Sequence, residues 1–308
     1  MNCYCVGGLT LACASDVPGL RSVASYGACP PDISLRIGIS PPPTVDTFVF
    51  RWPGRYGLSL SRLADDWLLT TARGPAYVVT RDGREIVAYD NQGDPDPEFM
   101  DVLVRRVLPR ISLIFGRVAF HGAALAKNDA AILLFGGSGA GKSTLSAALA
   151  GSFGWDLLSD DISILHAAGG ATVAPAATGV CLWPDSRAAL NLPPERCRSL
   201  PAYGTKIWFD FAQNAPREPL PLGAIVALAR SAEVAEPVLE RLAPAEALVL
   251  AIHQLIQFNP ADYASGGLEP LVHRLREAIE GVPAYRLVYP SDFSALPRVA
   301  ALLEELVA

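Results

Sequence analysis

The 308-residue sequence contains no apolar run approaching the roughly 18 residues that a membrane-crossing helix needs. Its start, Met1-Asn2-Cys3-Tyr4-Cys5, lacks a basic stretch followed by an apolar one, so no secretory signal is expected and the expected compartment is cytoplasmic. Positive charge is scarce. Twenty-five Lys and Arg face 31 Asp and Glu, for a net charge of −6, which argues against a nucleic-acid or anionic-membrane partner but leaves room for a small basic pocket. No internal repeat of about 20–50 residues is found. The six cysteines (Cys3, Cys5, Cys13, Cys29, Cys181 and Cys197) are irregularly spaced, and Cys3-X-Cys5 has no second pair or nearby His to close a zinc site. They read as free thiols of a reducing compartment.

What is present is apolar mass and turn chemistry. At 51% hydrophobic and 18% charged, the chain can bury a substantial core in one large or two modest domains. Residues 1–95 read as β-rich, with strands at Thr47–Trp52, Trp67–Thr71, Ala76–Thr80 and Glu85–Tyr89. Asp82-Gly83 marks a hairpin between the last two. Pro30-Pro31 and Pro41-Pro42-Pro43 mark loops, and Asp94 to Glu98 opens a helix that follows Phe99, Val102, Leu103, Val107 and Leu108 up to Pro109. From about residue 110 the pattern becomes α/β. Strands are expected near Val118–Ala124, Ala130–Phe135, Trp155–Leu158, Ile162–His166, Lys206–Phe211, Ala224–Ala229 and Ala284–Tyr289. Helices are expected at Thr144–Ala150, Pro244–Gln257, Leu268–Glu280 and Leu296–Val307. A boundary near 95–115 divides a smaller β-rich N-terminal domain with its linking helix, 1–110, from an α/β domain, 111–308.

The chemistry concentrates in Gly136-Gly137-Ser138-Gly139-Ala140-Gly141-Lys142-Ser143-Thr144. It follows a buried-strand pattern and opens into an Ala/Leu-rich helix, the context a phosphate-binding loop requires. Glycines let backbone N–H groups turn inward around phosphate oxygens, and the helix N-terminus adds partial positive charge. Lys142 would reach the β- and γ-phosphates and Ser143 would hold Mg²⁺. The plain alternative, a glycine-rich turn without a ligand, does not account for the flanking strand and helix.

Asp160-Asp161 follows Ser143 by 17 and 18 residues, at the end of a strand expected to neighbour the loop. Phosphoryl transfer to a hydroxyl needs one carboxylate for Mg²⁺ and another to take a proton, and adjacent acids whose side chains diverge could divide those roles. An isolated Asp-Asp would read as a turn or a cap. His121, in Phe120-His121-Gly122, lies 15 residues before Gly136 and by pattern alone reads equally as a structural residue. His166, His253 and His273 have no supporting pattern.

With His121, the loop and the acidic pair in this order, the chain resembles the HPr kinase/phosphorylase superfamily across about fifty residues, matching at Phe120-His121-Gly122, Gly136–Thr144 and Leu158-Ser159-Asp160-Asp161. Its flanks are similar to the smaller kinase-like relatives of peptide biosynthetic clusters, including the lasso-peptide precursor kinases. The flanking features are Val6-Gly7-Gly8-Leu9, Leu182-Trp183-Pro184-Asp185 and Lys206. The resemblance implies an α/β P-loop core related to phosphoenolpyruvate carboxykinase that binds ATP and Mg²⁺. It implies Asp160 as the base for a serine hydroxyl, Asp161 beside Ser143 as metal ligand and His121 near the reacting phosphate. Lys206, opening a strand, either neutralises the phosphoryl group beside Lys142 or is a solvated strand end. The Arg-Gly-Leu-Gly-type segment of the bifunctional enzymes is missing, which counts against phosphorolysis and against HPr as substrate.

Three functions follow from this pattern. The first is a kinase acting on a serine hydroxyl of a peptide or small protein, including the C-terminal residue of a lasso precursor. The second is an HPr kinase/phosphorylase regulating carbon metabolism, and the third a nucleotide-dependent switch without transfer. The acidic pair beside His121 favours transfer. A homo-oligomer is compatible with the sequence. No adenine-reading motif is visible, so ATP over GTP rests on the resemblance alone.

Overall fold

The structure is a computed structural model, and it describes all residues except 18, 24–29, 39–41, 55–56, 73, 91–96, 168–169, 177, 200–203, 212–217 and 262–268. Cys29, Pro41, Asp94 and Leu268, used above as local signals, lie outside the described residues.

Short runs rich in apolar residues, bounded by turns, build the first sheet. Its strands are β1 (Asn2–Val6), β2 (Leu9–Cys13), β3 (Arg21–Val23), β4 (Ile33–Gly38), β5 (Thr47–Arg51), β6 (Ser59–Leu63), β7 (Asp66–Thr70), β8 (Ala76–Val79) and β9 (Glu85–Tyr89). They lie in the order β3-β1-β2-β4-β9-β8-β7-β6-β5. The Asp82-Gly83 hairpin joins β8 and β9 in antiparallel register, with Gly83 left-handed at φ 75°. Leu11, Ile33, Leu60, Leu69, Tyr77, Val79 and Ile86 point into one core with Phe99, Leu103 and Leu108 of the following helix.

That helix is expected to stop at Pro109, but it continues to Ser112. It runs as α1 (Pro97–Val102), a π-helical turn at Leu103–Val107 and α2 (Leu108–Ser112). Pro109 falls in the first turn of α2, directly after a π turn in which the Leu108 N–H bonds the Leu103 carbonyl, and this wider turn makes room for the proline ring. The proline is therefore absorbed by a change of helix type.

The second sheet contains β10 (Val118–His121), β11 (Ala123–Lys127), β12 (Ala130–Phe135), β13 (Asp156–Ser159), β14 (Ile162–His166), β15 (Thr172–Ala174), β19 (Leu220–Arg230), β20 (Val238–Arg241) and β21 (Ala284–Tyr289). A small third sheet pairs β16 (Gly179–Leu182), β18 (Ile207–Asp210) and β17 (Cys197–Ser199). Strands β12, β19 and β21 run parallel, and β12 reads as a continuous apolar run because both its faces are covered. Ile132 and Leu134 face α3 (Lys142–Ser152) and α7 (Leu296–Glu304). Ala131, Leu133 and Phe135 face the layer of α5 (Pro244–Gln254) and α6 (Glu269–Ile279). The short helix α4 (Pro184–Ala189) follows β16.

Two expectations change here. The strand expected over Val118–Ala124 is divided at Gly122 into β10 and β11. The strand that ends in Asp160-Asp161 does not pair with the strand of the glycine loop: β13 pairs with β11, one position further out. Among the described residues, no helix is long and apolar enough to cross a membrane.

Candidate active site

The glycine-rich segment joins β12 to α3 at the carboxyl ends of the parallel strands, where an open α/β sheet leaves a crevice. Gly139 and Gly141 are left-handed, at φ 83° and 90°. A Cβ on Gly141 would stand 2.5 Å from the Tyr289 hydroxyl oxygen. That hydroxyl donates to the Ala140 carbonyl at 2.8 Å and so ties the loop to the end of β21. Burial pushes the Tyr289 phenol up to about 12, which keeps it a donor. Lys142 opens α3 and is buried. Its Nζ donates to the Gly136 carbonyl at 2.6 Å and to the Gly137 carbonyl at 3.4 Å. Burial lowers its pKa, Asp161 and Asp160 oppose that, and Lys206 adds to the lowering. Thr144 faces Ser186 of α4, hydroxyl to hydroxyl at 3.1 Å.

The histidine and the acidic pair meet because they lie one position apart across a single ribbon. His121 pairs with Ile162, and Ala124 pairs with Ser159 in the same register, so Gly122 faces Asp161 across the break. Gly122 N–H donates to the Asp161 carbonyl at 3.1 Å, and Ser163 Oγ donates to the Gly122 carbonyl at 3.1 Å. Only glycine fits at position 122, since a Cβ would stand 2.8 Å from the Leu134 carbonyl and 3.1 Å from the Phe135 ring. Asp161 takes a left-handed conformation at φ 71°. Aspartate tolerates this better than most residues, and such strain concentrates at functional sites.

The two carboxylates diverge. Asp160 is 5% exposed, and its Oδ2 accepts from the Cys181 amide at 3.1 Å. Its Oδ1 is buried, and among the described residues nothing meets it in hydrogen-bonding geometry, although the Ser143 hydroxyl lies near enough to favour the charged form. Burial raises the Asp160 pKa and Asp161 adds to it, against the pull of Arg105. Asp161 Oδ2 instead receives Arg105 Nη2 at 2.9 Å and Arg106 Nη2 at 3.5 Å, and His121 Nδ1 lies 3.3 Å from Oδ1. Burial alone would raise Asp161, but Arg105, Arg106 and His121 outweigh it and hold the carboxyl well below the usual range. His121 is lowered by desolvation, with Lys142 and Arg106 adding to the lowering and Asp161 opposing it.

A buried carboxylate oxygen that has no hydrogen-bond partner among the described residues, beside a serine hydroxyl and the loop, fits a divalent cation or a water bound to one. Among the described residues no cluster of three or more His, Cys, Asp or Glu side chains could hold a metal. A cation here would therefore draw its remaining ligands from phosphate oxygens and water, as Mg²⁺ commonly does.

The structure thus brings His121, Lys142, Ser143, Asp160 and Asp161 together, with Gly136 to Thr144 along one side. Lys206 precedes β18, half-buried, with Nζ 4.9 Å from the centre of the Trp183 ring and close enough to disfavour charge on Lys142. Sequence reading missed Arg105, Arg106, Tyr289 and the Cys181 amide. Two consecutive arginines inside an otherwise apolar helical stretch were the available signal for the first two.

No protein-family model matches the chain, and no curated protein matches it. Among solved structures it is similar to the Hpr(Ser) kinase/phosphatase from Coxiella burnetii at 14% identity and a TM-score of 0.35, over 61% of this chain and 94% of that one. At that level the likeness assigns no activity, and a functional reading has to come from the residues of the site.

Proposed function

We propose that the chain is a kinase that binds Mg²⁺–ATP along Gly136 to Thr144 and transfers the γ-phosphoryl group to a serine hydroxyl of a peptide or small protein. The observation that carries this reading is the ribbon that brings the His121 and Asp161 side chains to 3.3 Å of each other beside Lys142. A nucleotide switch needs no such acid–imidazole pair. In this reading the loop amides and Lys142 hold the phosphates, and Lys142 exchanges its carbonyl partners for γ-phosphate oxygens.

The resemblance gives Asp160 to the proton and Asp161 to the metal. The geometry favours a different division, with Asp160 toward the metal and His121, fixed by Asp161, toward the proton. Asp160 has the open oxygen next to Ser143, so these two would hold Mg²⁺, which when bound neutralises charge on the β- and γ-oxygens. Asp161 stays ionised and fixes His121 through Nδ1–H, leaving Nε2 to accept the serine proton, in the manner of an oriented histidine base. The serine oxygen then bonds to phosphorus, the bond from phosphorus to the β–γ bridging oxygen breaks, and ADP leaves.

A lasso precursor ending in serine is the acceptor suggested by the flanking features. Of these, Trp183 and Lys206 lie against each other, and the Lys206 charge is felt at Lys142. Incubation with γ-labelled ATP and either that peptide or HPr tests the reading. Label on a serine of the peptide is the expected result. Label on HPr would reassign the acceptor, and release of phosphate without a labelled acceptor would reduce the chain to a hydrolase or switch.

A further inference from the structure

The α1–α2 helix belongs to the packing of the first sheet, yet it sends two cations into the site of the second. Arg105 is buried and pinned: it meets Asp101 at 3.8 Å and Asp161 at 2.9 Å, with the Trp208 ring centre 5.6 Å away. Arg106 is placed differently. Its side chain is 28% exposed and its contact with Asp161 is longer, at 3.5 Å. It also lies near enough to His121 for its charge to be felt there, as does that of Lys142. Consecutive side chains of an α-helix point about 100° apart. The π turn at Leu103–Val107 adds a residue to that turn, and both guanidinium groups reach the same Asp161 oxygen.

Resting on the kinase reading, we propose that Arg106 is a catalytic residue, the cation that binds the transferring phosphoryl group, and that Arg105 is its fixed neighbour that keeps Asp161 charged. The γ-phosphoryl group would sit between Lys142 and His121, and Arg106 moves to it from the weaker of the two arginine contacts. Charge accumulates on the equatorial oxygens during transfer, and a guanidinium offers paired N–H donors to them without giving up a proton. An arginine used this way is worth roughly 10³–10⁵ in rate in other phosphoryl-transfer enzymes.

The test needs no acceptor. The full-length chain is titrated with Mg²⁺–ADP alone and with Mg²⁺–ADP plus aluminium fluoride, which imitates the planar phosphoryl group. The unaltered protein should bind the fluoride complex at least about 100-fold more tightly than ADP. Arg106→Gln should bind ADP as before and lose most of that excess, and Arg106→Lys should keep a minor part of it. Arg106→Gln retaining the full excess would overturn the proposal while leaving the kinase reading intact. Failure of the unaltered protein to bind Mg²⁺–ADP would remove the kinase reading itself, and this proposal with it. A melting curve for each variant shows whether it is folded.

Discussion

At the scale of single residues, adjacent aspartates have opposite electrostatic fates, and substituting them should have opposite consequences for stability. Asp160 has a folded-state pKa above its unfolded value, so its ionised form weakens the fold at neutral pH, and the loss is relieved as pH falls. Without metal, Asp160→Asn should raise stability by about 1 kcal/mol, a few degrees in melting temperature, while weakening Mg²⁺–nucleotide binding. Asp161 is held low, so it contributes stability above the unfolded carboxylate range that is lost as pH falls through the folded pKa. Asp161→Asn leaves Arg105 buried against a neutral amide and should cost roughly 3 kcal/mol. Calorimetric melting of both variants checks the signs, and equal shifts in the same direction would contradict this account. His121 supplies a second test. Its pKa lies below 6.5 because of desolvation, and the base works only when neutral. Transfer should therefore hold above pH 6.5 and decline as pH falls through the lowered value. In His121→Asn the residual rate should lack that limb.

At the scale of elements, the ribbon of β10–β11 against β13–β14 is the device that assembles the site. Gly122 is its hinge, and Gly122→Ala should displace the Leu134 carbonyl or the Phe135 ring at a cost of about 1–3 kcal/mol. It should also move His121 away from Asp161 and cut transfer more than nucleotide binding, a split visible in kcat against nucleotide affinity. Much at this scale was legible beforehand. The strands Glu85–Tyr89, Ala130–Phe135, Ile162–His166 and Ala284–Tyr289 fall at their expected ends, because apolar, β-branched and aromatic runs bounded by turns leave few alternatives. The glycine loop follows its strand and opens its helix as the motif requires. The continuation through Pro109 was not legible, since whether a proline ring fits depends on the helix type around it. Nor was the arrival of Arg105 and Arg106 at Asp161, which depends on a tertiary contact between residues 56 and 55 positions apart in the chain. Composition hid it too, because a chain of net charge −6 gathers Lys142, Lys206, Arg105 and Arg106 around one buried pair of acids.

At the scale of the whole molecule, the two sheets are coupled through the site. The core of the first sheet includes Ala119, Ile162 and Ile164 from the second, and the helix that closes that core carries the arginines that charge Asp161. At the site Lys142 donates to loop carbonyls and Asp160 Oδ1 is buried with no hydrogen-bond partner among the described residues, an arrangement that suits a Mg²⁺-bound triphosphate. A ligand that binds only the folded chain adds about 2.7 kcal/mol of stability at a concentration of 100 times its Kd. The central claim is that this loop holds Mg²⁺–ATP through Lys142, and its most direct test is a calorimetric titration of the full-length chain and of Lys142→Ala with ATP, each with and without Mg²⁺. The account predicts saturable, Mg²⁺-dependent binding to the unaltered chain that weakens at least about tenfold in Lys142→Ala. An unaltered chain that gives no binding heat and no thermal stabilisation, or a Lys142→Ala variant that binds as tightly as the original, would contradict it.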